Sequence, residues 1–167
     1  MIVTIWRHGQ AGSALTDRER ELTATGLDDV GFGVSQFLKT CDKRAIALPE
    51  LVLYSDWART AQTADIIAQG LGGVNHHPSP ALIPGSAVAQ VDQALTEILS
   101  VTNCPQHVVL VSHQPLVSRL IDYYLGERGR VPSLPPGGLA VLSLQLAVRA
   151  SAELQFWSLP PEFESAR

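Results

Sequence analysis

Ile2-Val3-Thr4-Ile5-Trp6-Arg7-His8-Gly9 decides how the rest of the chain is read. Its first five residues are apolar or β-branched, a run of the kind that fills a buried strand. The run empties directly into a cation, an imidazole and a glycine. In open α/β sheets ligands bind outside the carboxyl ends of the strands, so Arg7 and His8 stand where a ligand would be met. Gly9 lets the backbone turn sharply and approach a ligand with no Cβ in the way. A single histidine after a strand is more often structural than catalytic; what recurs downstream gives this one its weight.

Leu51-Val52-Leu53-Tyr54 reads as a second buried strand ending in Ser55-Asp56. A helix is expected from Trp57 to about Gln69, with Ala61, Ala64, Ile67 and Ala68 as its apolar stripe and Ser55 or Asp56 as N-cap. Arg59 then falls in the first helical turn. The free N–H groups and positive dipole end there already favour an anion, and an arginine adds to them. Val108-Val109-Leu110-Val111 is the third buried strand, ending in Ser112-His113-Gln114-Pro115 and followed by a helix from Pro115 to about Leu125. Three βα junctions thus present histidine, arginine and histidine on one edge.

The remaining segments fit around these junctions. Gln10 to Glu21 is too charged for core and is expected to loop over the carboxyl edge, either solvated or touching substrate. Leu27, Val30, Val34, Phe37 and Leu38 recur at helical spacing in a helix capped by Thr23 or Thr25 and ending near Thr40. Gly26, Gly31 and Gly33 weaken its propensity, so packing must hold it. Val74 to Leu82 reads as an edge strand or an extended loop. Its adjacent His76 and His77 would point to opposite faces, with no carboxylate or cysteine cluster nearby, so no metal site is expected. Val88 to Val101 reads as an amphipathic helix, and Arg128 to Gly138 as a Gly- and Pro-rich loop of the sort that borders a site. Leu139–Val148 and Glu153–Leu159 read as a hairpin joined by Arg149–Ala152, so one of the two must run antiparallel to the main sheet. The last residues read as a tail.

The 167 residues suit a single domain, 1–167, and 46% hydrophobic against 17% charged is a globular composition. A net charge of −4 argues against a nucleic-acid or anionic-membrane partner. No apolar stretch reaches the roughly 18 residues of a membrane span. The start, Met1 to Gly9, lacks the basic and longer apolar regions of a signal peptide, which points to a cytoplasmic protein. Cys41 and Cys104 offer neither a disulfide framework nor metal spacing.

Two arginines and two histidines around one pocket suit a phosphoryl group. Guanidinium forks match phosphoryl oxygens, and phosphoryl transfer needs positioning and charge neutralisation above all. Arg7, Arg59 and His113 can neutralise, while His8 supplies a neutral imidazole nitrogen as in-line nucleophile. The neighbouring arginines are expected to hold His8 neutral, and a backbone carbonyl accepting its other N–H would fix the tautomer.

Arg7-His8-Gly9 resembles the RHG signature of the histidine phosphatase (phosphoglycerate mutase-like) superfamily. Ser55-Asp56-Trp57-Ala58-Arg59-Thr60-Ala61-Gln62-Thr63-Ala64 resembles its second block and Ser112-His113 its second-histidine block, over residues 1 to about 158. The resemblance implies a three-layer α/β/α sandwich with a mostly parallel central sheet and one antiparallel strand. It also implies a phosphohistidine intermediate on His8, no metal and no cofactor. Arg7, His8, Arg59 and His113 would be catalytic, with Gly9, Gln10 and Ser55 binding substrate. Leu22-Thr23-x-x-Gly26 and Ser112-His113-Gln114-Pro115-Leu116-Val117 look most like the SixA-type phosphohistidine phosphatases, which dephosphorylate phosphotransfer proteins of bacterial signalling relays.

Many ester-cleaving relatives carry a glutamate after the second block as general acid. Here Ser79-Pro80-Ala81-Leu82-Ile83-Pro84-Gly85 holds no carboxylate, which favours phosphohistidine, whose leaving group needs less help. Asp17, Glu19 or Glu21 could fold in as a substitute. The expected partner is a phosphohistidine-bearing protein, the alternative a small phosphorylated substrate such as a sugar phosphate or nucleotide. A non-catalytic phospho-binding protein is the third reading.

Overall fold

The opening strand β1 (Ile2–Arg7) lies between β4 (His107–Ser112) and β5 (Leu139–Leu144) in a computed structural model that describes all residues from Met1 to Arg167. With β2 (Leu51–Tyr54), β3 (Asn75–Pro78) and β6 (Ala152–Ser158) it forms one six-stranded sheet, in the order β3-β2-β4-β1-β5-β6. β3, β2, β4 and β1 are mutually parallel; β5 pairs antiparallel with both β1 and β6. So β5 alone runs against the other five strands. Four helices cover the sheet: α1 (Ala24–Lys43), α2 (Ala58–Gly70), α3 (Val88–Ser100) and α4 (Leu116–Leu125).

The period of two along each strand sorts the core into two layers. Val3 and Ile5 of β1, Val108 and Leu110 of β4, and Ala140 and Leu142 of β5 face α3 and α4. Trp6, Val109, Val111, Leu139 and Val141 face α1 and α2 through Val30, Val34, Phe37, Ala64 and Ile67. The result is an α/β/α sandwich. β4, buried at every position, shares the centre of the sheet with β1.

Several local expectations are corrected. Helix α1 buries Gly26, Val30, Gly33, Val34, Phe37 and Cys41, so its inward position in the first turn is Gly26. Leu27, one residue on, turns outward and is 44% exposed. The helix also runs on to Lys43. Its N-cap is Thr23, whose side chain accepts from Gly26 N–H at 3.0 Å. Helix α2 is capped by Trp57 without a side-chain bond, because the two expected caps are committed elsewhere: Ser55 to His113 and Asp56 to Arg18.

β5 stops at Leu144. Beyond it Gln145 N–H bonds the Ser151 carbonyl, and the Ser151 hydroxyl bonds those of Leu146 and Val148, closing a turn that leaves Leu146 and Val148 exposed. The last residues are not a tail. Phe163 is buried against Gly33, and Ala166 exchanges two backbone hydrogen bonds, of 3.0 and 2.9 Å, with Trp157. Val74 to Leu82 resolves into the exposed edge strand β3 and a 3₁₀ turn at Pro80–Leu82; Pro78 is tolerated because β3 is an edge. No helix is long and apolar enough to cross a membrane.

Candidate active site

Parallel pairing brings the three junctions to one edge. Arg7 lies opposite Ser112 in register, and Tyr54 opposite Val111. Just beyond the strands, His8 N–H bonds the Ser112 carbonyl and Ser55 N–H bonds the Val111 carbonyl, both at 3.1 Å. Residues 8–10 form no turn or bend, so the sharp turn expected at Gly9 is absent; its N–H donates to Thr63 Oγ1 at 3.1 Å. A Cβ at Gly9 would come within 2.8 Å of Val30 Cγ2 and 3.0 Å of the Gly26 carbonyl oxygen, so glycine is needed for close approach to α1.

His8 is buried, and its Nδ1 lies 2.8 Å from the Gly9 carbonyl oxygen. That oxygen can only accept, so Nδ1 carries the proton and the neutral ring keeps its lone pair on Nε2. Arg59 Nε donates to this Nε2 at 3.2 Å. Burial first, then the charges of Arg59, Arg7 and Arg20, push the His8 pKa down to about 4 against the upward pull of the Gly9 hydrogen bond. Desolvation thus leads the arginines, which the sequence reading put first.

The His113 ring centroid stands 5.1 Å from that of His8. Its Nε2 is 2.8 Å from Ser55 Oγ, and its Nδ1 is buried without a partner. Burial, followed by His8 and Arg59, pushes its pKa down to about 3. Arg7 is anchored by an Nη1 bond of 2.8 Å to the Leu134 carbonyl, while its Nε is likewise buried and unpaired. Trp57 packs its edge on His113, at 5.3 Å between centroids, and the Arg59 guanidinium lies 4.9 Å from the centre of the Trp57 ring. That cation–π contact fixes the arginine fork over the site.

Arg7, His8, Gln10, Arg59 and His113 line one pocket of about 310 Å³. Gly9 and Ser55 do not: the Gly9 carbonyl orients His8, and Ser55 holds His113. The charged loop folds over the pocket. Asp17 Oδ2 pairs with Arg59 Nη2 at 3.2 Å and Oδ1 with Arg20 Nη1 at 2.9 Å, while the Asp17 carbonyl accepts from Arg59 Nη1. The Arg20 hydrogen bond is the main reason the Asp17 carboxyl titrates below its ordinary range. Glu19 instead takes the Thr16 hydroxyl at the surface. From the carboxylate-free segment Ser79–Gly85, Pro84 lines the wall.

Arg20 and Trp57 were not singled out by the sequence. Arg20 and Arg18 hold equivalent places in the alternating charges of Asp17 to Glu21, so nothing local told one from the other. Trp57 carried one signal, a large aromatic between a strand end and Arg59. No three histidines, cysteines or carboxylates come together as a metal site; His76 pairs with Asp65 at 3.0 Å.

No protein-family model and no curated protein sequence matches the chain. Solved structures do. The chain is similar to the protein histidine phosphatase SixA, solved with tungstate, at 26% identity and a TM-score of 0.79, over 98% of this chain and 100% of that one. It is similar in fold to a mycobacterial glucosyl-3-phosphoglycerate phosphatase at 18% identity and a TM-score of 0.69, over 95% and 99% of the two chains. The α-ribazole phosphatase of Shigella flexneri gives 17% and 0.66, over 93% and 95%.

Proposed function

From the premise that the chain has the SixA-type histidine phosphatase fold, we propose that it removes phosphate from phosphohistidine on a protein. The transfer runs through His8. Its Nε2 lone pair attacks phosphorus in line, a P–Nε2 bond forms, and the substrate P–N bond breaks. The departing imidazole takes that electron pair and a solvent proton. Water then attacks phosphorus, the P–Nε2 bond breaks, inorganic phosphate leaves with a proton lost to solvent, and His8 returns neutral. Throughout, Nδ1 keeps its proton on the Gly9 carbonyl.

Arg7, Arg20, Arg59 and His113 are assigned to the phosphoryl oxygens, which phosphoryl transfer needs positioned and neutralised. Arg59 must release both His8 Nε2 and Asp17 as the phosphoryl group enters. The observation that carries the substrate class is the state of Asp17. It is the only carboxylate lining the pocket, and its pairing with Arg20 and Arg59 keeps it ionised. An ionised carboxylate has no proton to give an alkoxide. Phosphohistidine, with its labile P–N bond, needs less help from an acid.

The test sets a histidine-phosphorylated phosphotransfer domain beside a generic aryl phosphate, with wild type and His8→Ala. Rapid loss of phosphohistidine with slow ester hydrolysis, both abolished in His8→Ala, is the expected outcome. Efficient ester hydrolysis with an untouched phosphoprotein would instead make this a small-molecule phosphomonoesterase, like the ester phosphatases that share its fold. Turnover that survives His8→Ala would remove His8 as nucleophile.

A further inference from the structure

A phosphoryl group asks a pocket for hydrogen-bond donors, whereas the protonated imidazole that carries it asks for an acceptor. The nitrogen of that ring without phosphorus bears an N–H, which only a lone pair can take. The His8 pocket is rich in donors and poor in free acceptors. Arg7, Arg20 and Arg59 only donate. His8 Nε2 directs its lone pair at phosphorus, and His113 meets the phosphoryl oxygens as a donor. The Asp17 carboxylate is taken up by Arg20 and Arg59, and Gln10 Oε1 already accepts from Thr23 Oγ1 at 2.8 Å. One polar side chain on the pocket wall remains, Gln114.

Its amide is held in one orientation. Nε2 lies 2.9 Å from Ser118 Oγ, 3.2 Å from Ser133 Oγ and 3.3 Å from the Leu134 carbonyl oxygen. That carbonyl, which also anchors Arg7, can only accept, so the amide end facing it is the NH₂ group and the other end is the oxygen. Oε1 takes no hydrogen bond within the protein and is not sealed from solvent. Gln114 is half-buried, while His8, Arg59 and His113 are buried, so it stands nearer the mouth than the groups around phosphorus. In-line displacement puts the leaving group on the side of phosphorus away from His8, and a ring carried by a protein enters through the mouth. The leaving ring and Oε1 therefore both belong to the outer part of the pocket.

Resting on phosphohistidine as the substrate, we propose that Gln114 reads the leaving group: its Oε1 accepts the N–H of the imidazole nitrogen that carries no phosphorus. A hydrogen bond made to the protonated ring favours that form. The solvent proton that the departing imidazole needs is then on the ring before the bond breaks. As the P–N bond breaks, its electron pair stays on the departing nitrogen. The positive ring becomes neutral, and its N–H stays on Gln114 until the product leaves. A phenolate or alkoxide brings no N–H and gains nothing from this oxygen. Gln114 thus sets a preference between leaving groups while leaving the phosphoryl oxygens to the arginines.

Gln114→Leu removes the acceptor, and Gln114→Glu keeps an oxygen in its place. Both lose the Nε2 bonds, so whatever those bonds do for Arg7 or Leu134 falls on every substrate alike. The measurement is kcat/KM of wild type and both variants on a histidine-phosphorylated phosphotransfer domain and on a generic aryl phosphate, followed from neutral to alkaline pH. In Gln114→Leu the ratio of phosphohistidine to ester turnover should fall about tenfold or more, as a lost hydrogen bond to a charged group allows. Its phosphohistidine activity should also fade at a lower pH than that of wild type, because the protonated ring has lost its acceptor. Gln114→Glu should keep the ratio near that of wild type. An unchanged ratio in Gln114→Leu, whether both rates hold or both fall, overturns the reading of the ring and leaves phosphohistidine as substrate. A ratio lost equally in both variants also overturns it, since an acceptor would then not be what matters. Wild type that cleaves the ester and leaves the phosphorylated domain untouched overturns the substrate itself.

Discussion

Asp17 and an incoming phosphoryl group compete for the same two guanidiniums. Its side chain is 57% exposed while that of Arg59 is 6% exposed, so the carboxylate reaches down from solvent onto a buried cation. Pairs so open to water contribute at most about 1 kcal/mol. Asp17→Asn keeps the backbone carbonyl that also holds Arg59 but removes the competing charge. Inorganic phosphate or vanadate should then inhibit about two- to fivefold more tightly, within what an exposed ion pair is worth. Ester hydrolysis should not fall, because an ionised Asp17 donates no proton. Weaker anion binding would mean that Asp17 organises the arginines instead of opposing the anion; loss of ester turnover alone would make it the missing acid. This competition was not legible in the sequence. His8, Arg59 and His113 could be placed because His8 and His113 directly follow their strands and Arg59 lies in the first turn of the helix after its strand, and parallel strands carry such positions to one edge. Asp17 and Arg20 lie in a loop whose course depends on Arg59, a residue far away in sequence, and no local pattern encodes that.

Among the elements, α1 shows why packing holds a helix that propensity disfavours. A Cβ at Gly26 would stand 2.2 Å from the Gln10 carbonyl oxygen and 3.0 Å from its nitrogen, both backbone atoms of the loop leaving His8. The glycine lets the helix press on the backbone just beyond His8. At Gly31 an added Cβ meets nothing within 4 Å. Gly31→Ala should accordingly stabilise by up to about 1 kcal/mol, the propensity difference in a helix interior. Gly26→Ala should destabilise by about 1–3 kcal/mol and lower kcat by displacing His8, since backbone cannot move aside cheaply. Denaturant midpoints and turnover of the two variants check this; equal effects would mean the loop yields freely. Strands β1, β2 and β4 were legible because burial on both faces leaves near-continuous apolar runs. The end of β5 and the seat of Phe163 were not. Leu146 and Val148 extend an apolar pattern that the Ser151 hydroxyl cuts short, and Phe163 finds its place only where Gly33, far off in sequence, leaves room for a ring.

At the scale of the whole molecule, three buried histidines tie stability to pH. His107, at the start of β4, is fixed between the Ala47 carbonyl oxygen at 2.6 Å and Thr4 Oγ1 at 2.7 Å, and burial pushes its pKa down to about 4. His8 falls to about 4 and His113 to about 3 by the same leading cause. In the unfolded chain each returns to about 6.5. Between that value and pH 4 the unfolded state binds more protons than the folded one, so stability falls as pH falls. Each group adds a slope of about 1.4 kcal/mol per pH unit at its steepest. Above pH 7 all three are neutral in both states and contribute no slope. Domains are commonly stable by only about 5–15 kcal/mol, so three such slopes together are a large share. Urea midpoints should therefore stay level from pH 8 to 7 and drop steeply from 6.5 to 5. His107→Gln, whatever it does to stability at neutral pH, should reduce the steepness of that drop by about a third, one proton of three. A midpoint that holds level down to pH 5 would mean that these histidines are charged within the fold. Near pH 5, below the denaturation midpoint, surviving folded enzyme should still turn over, because Nε2 of His8 stays unprotonated until about pH 4. Acid should thus silence the protein by unfolding it before it titrates His8, and activity at pH 5 should track the folded fraction read by circular dichroism.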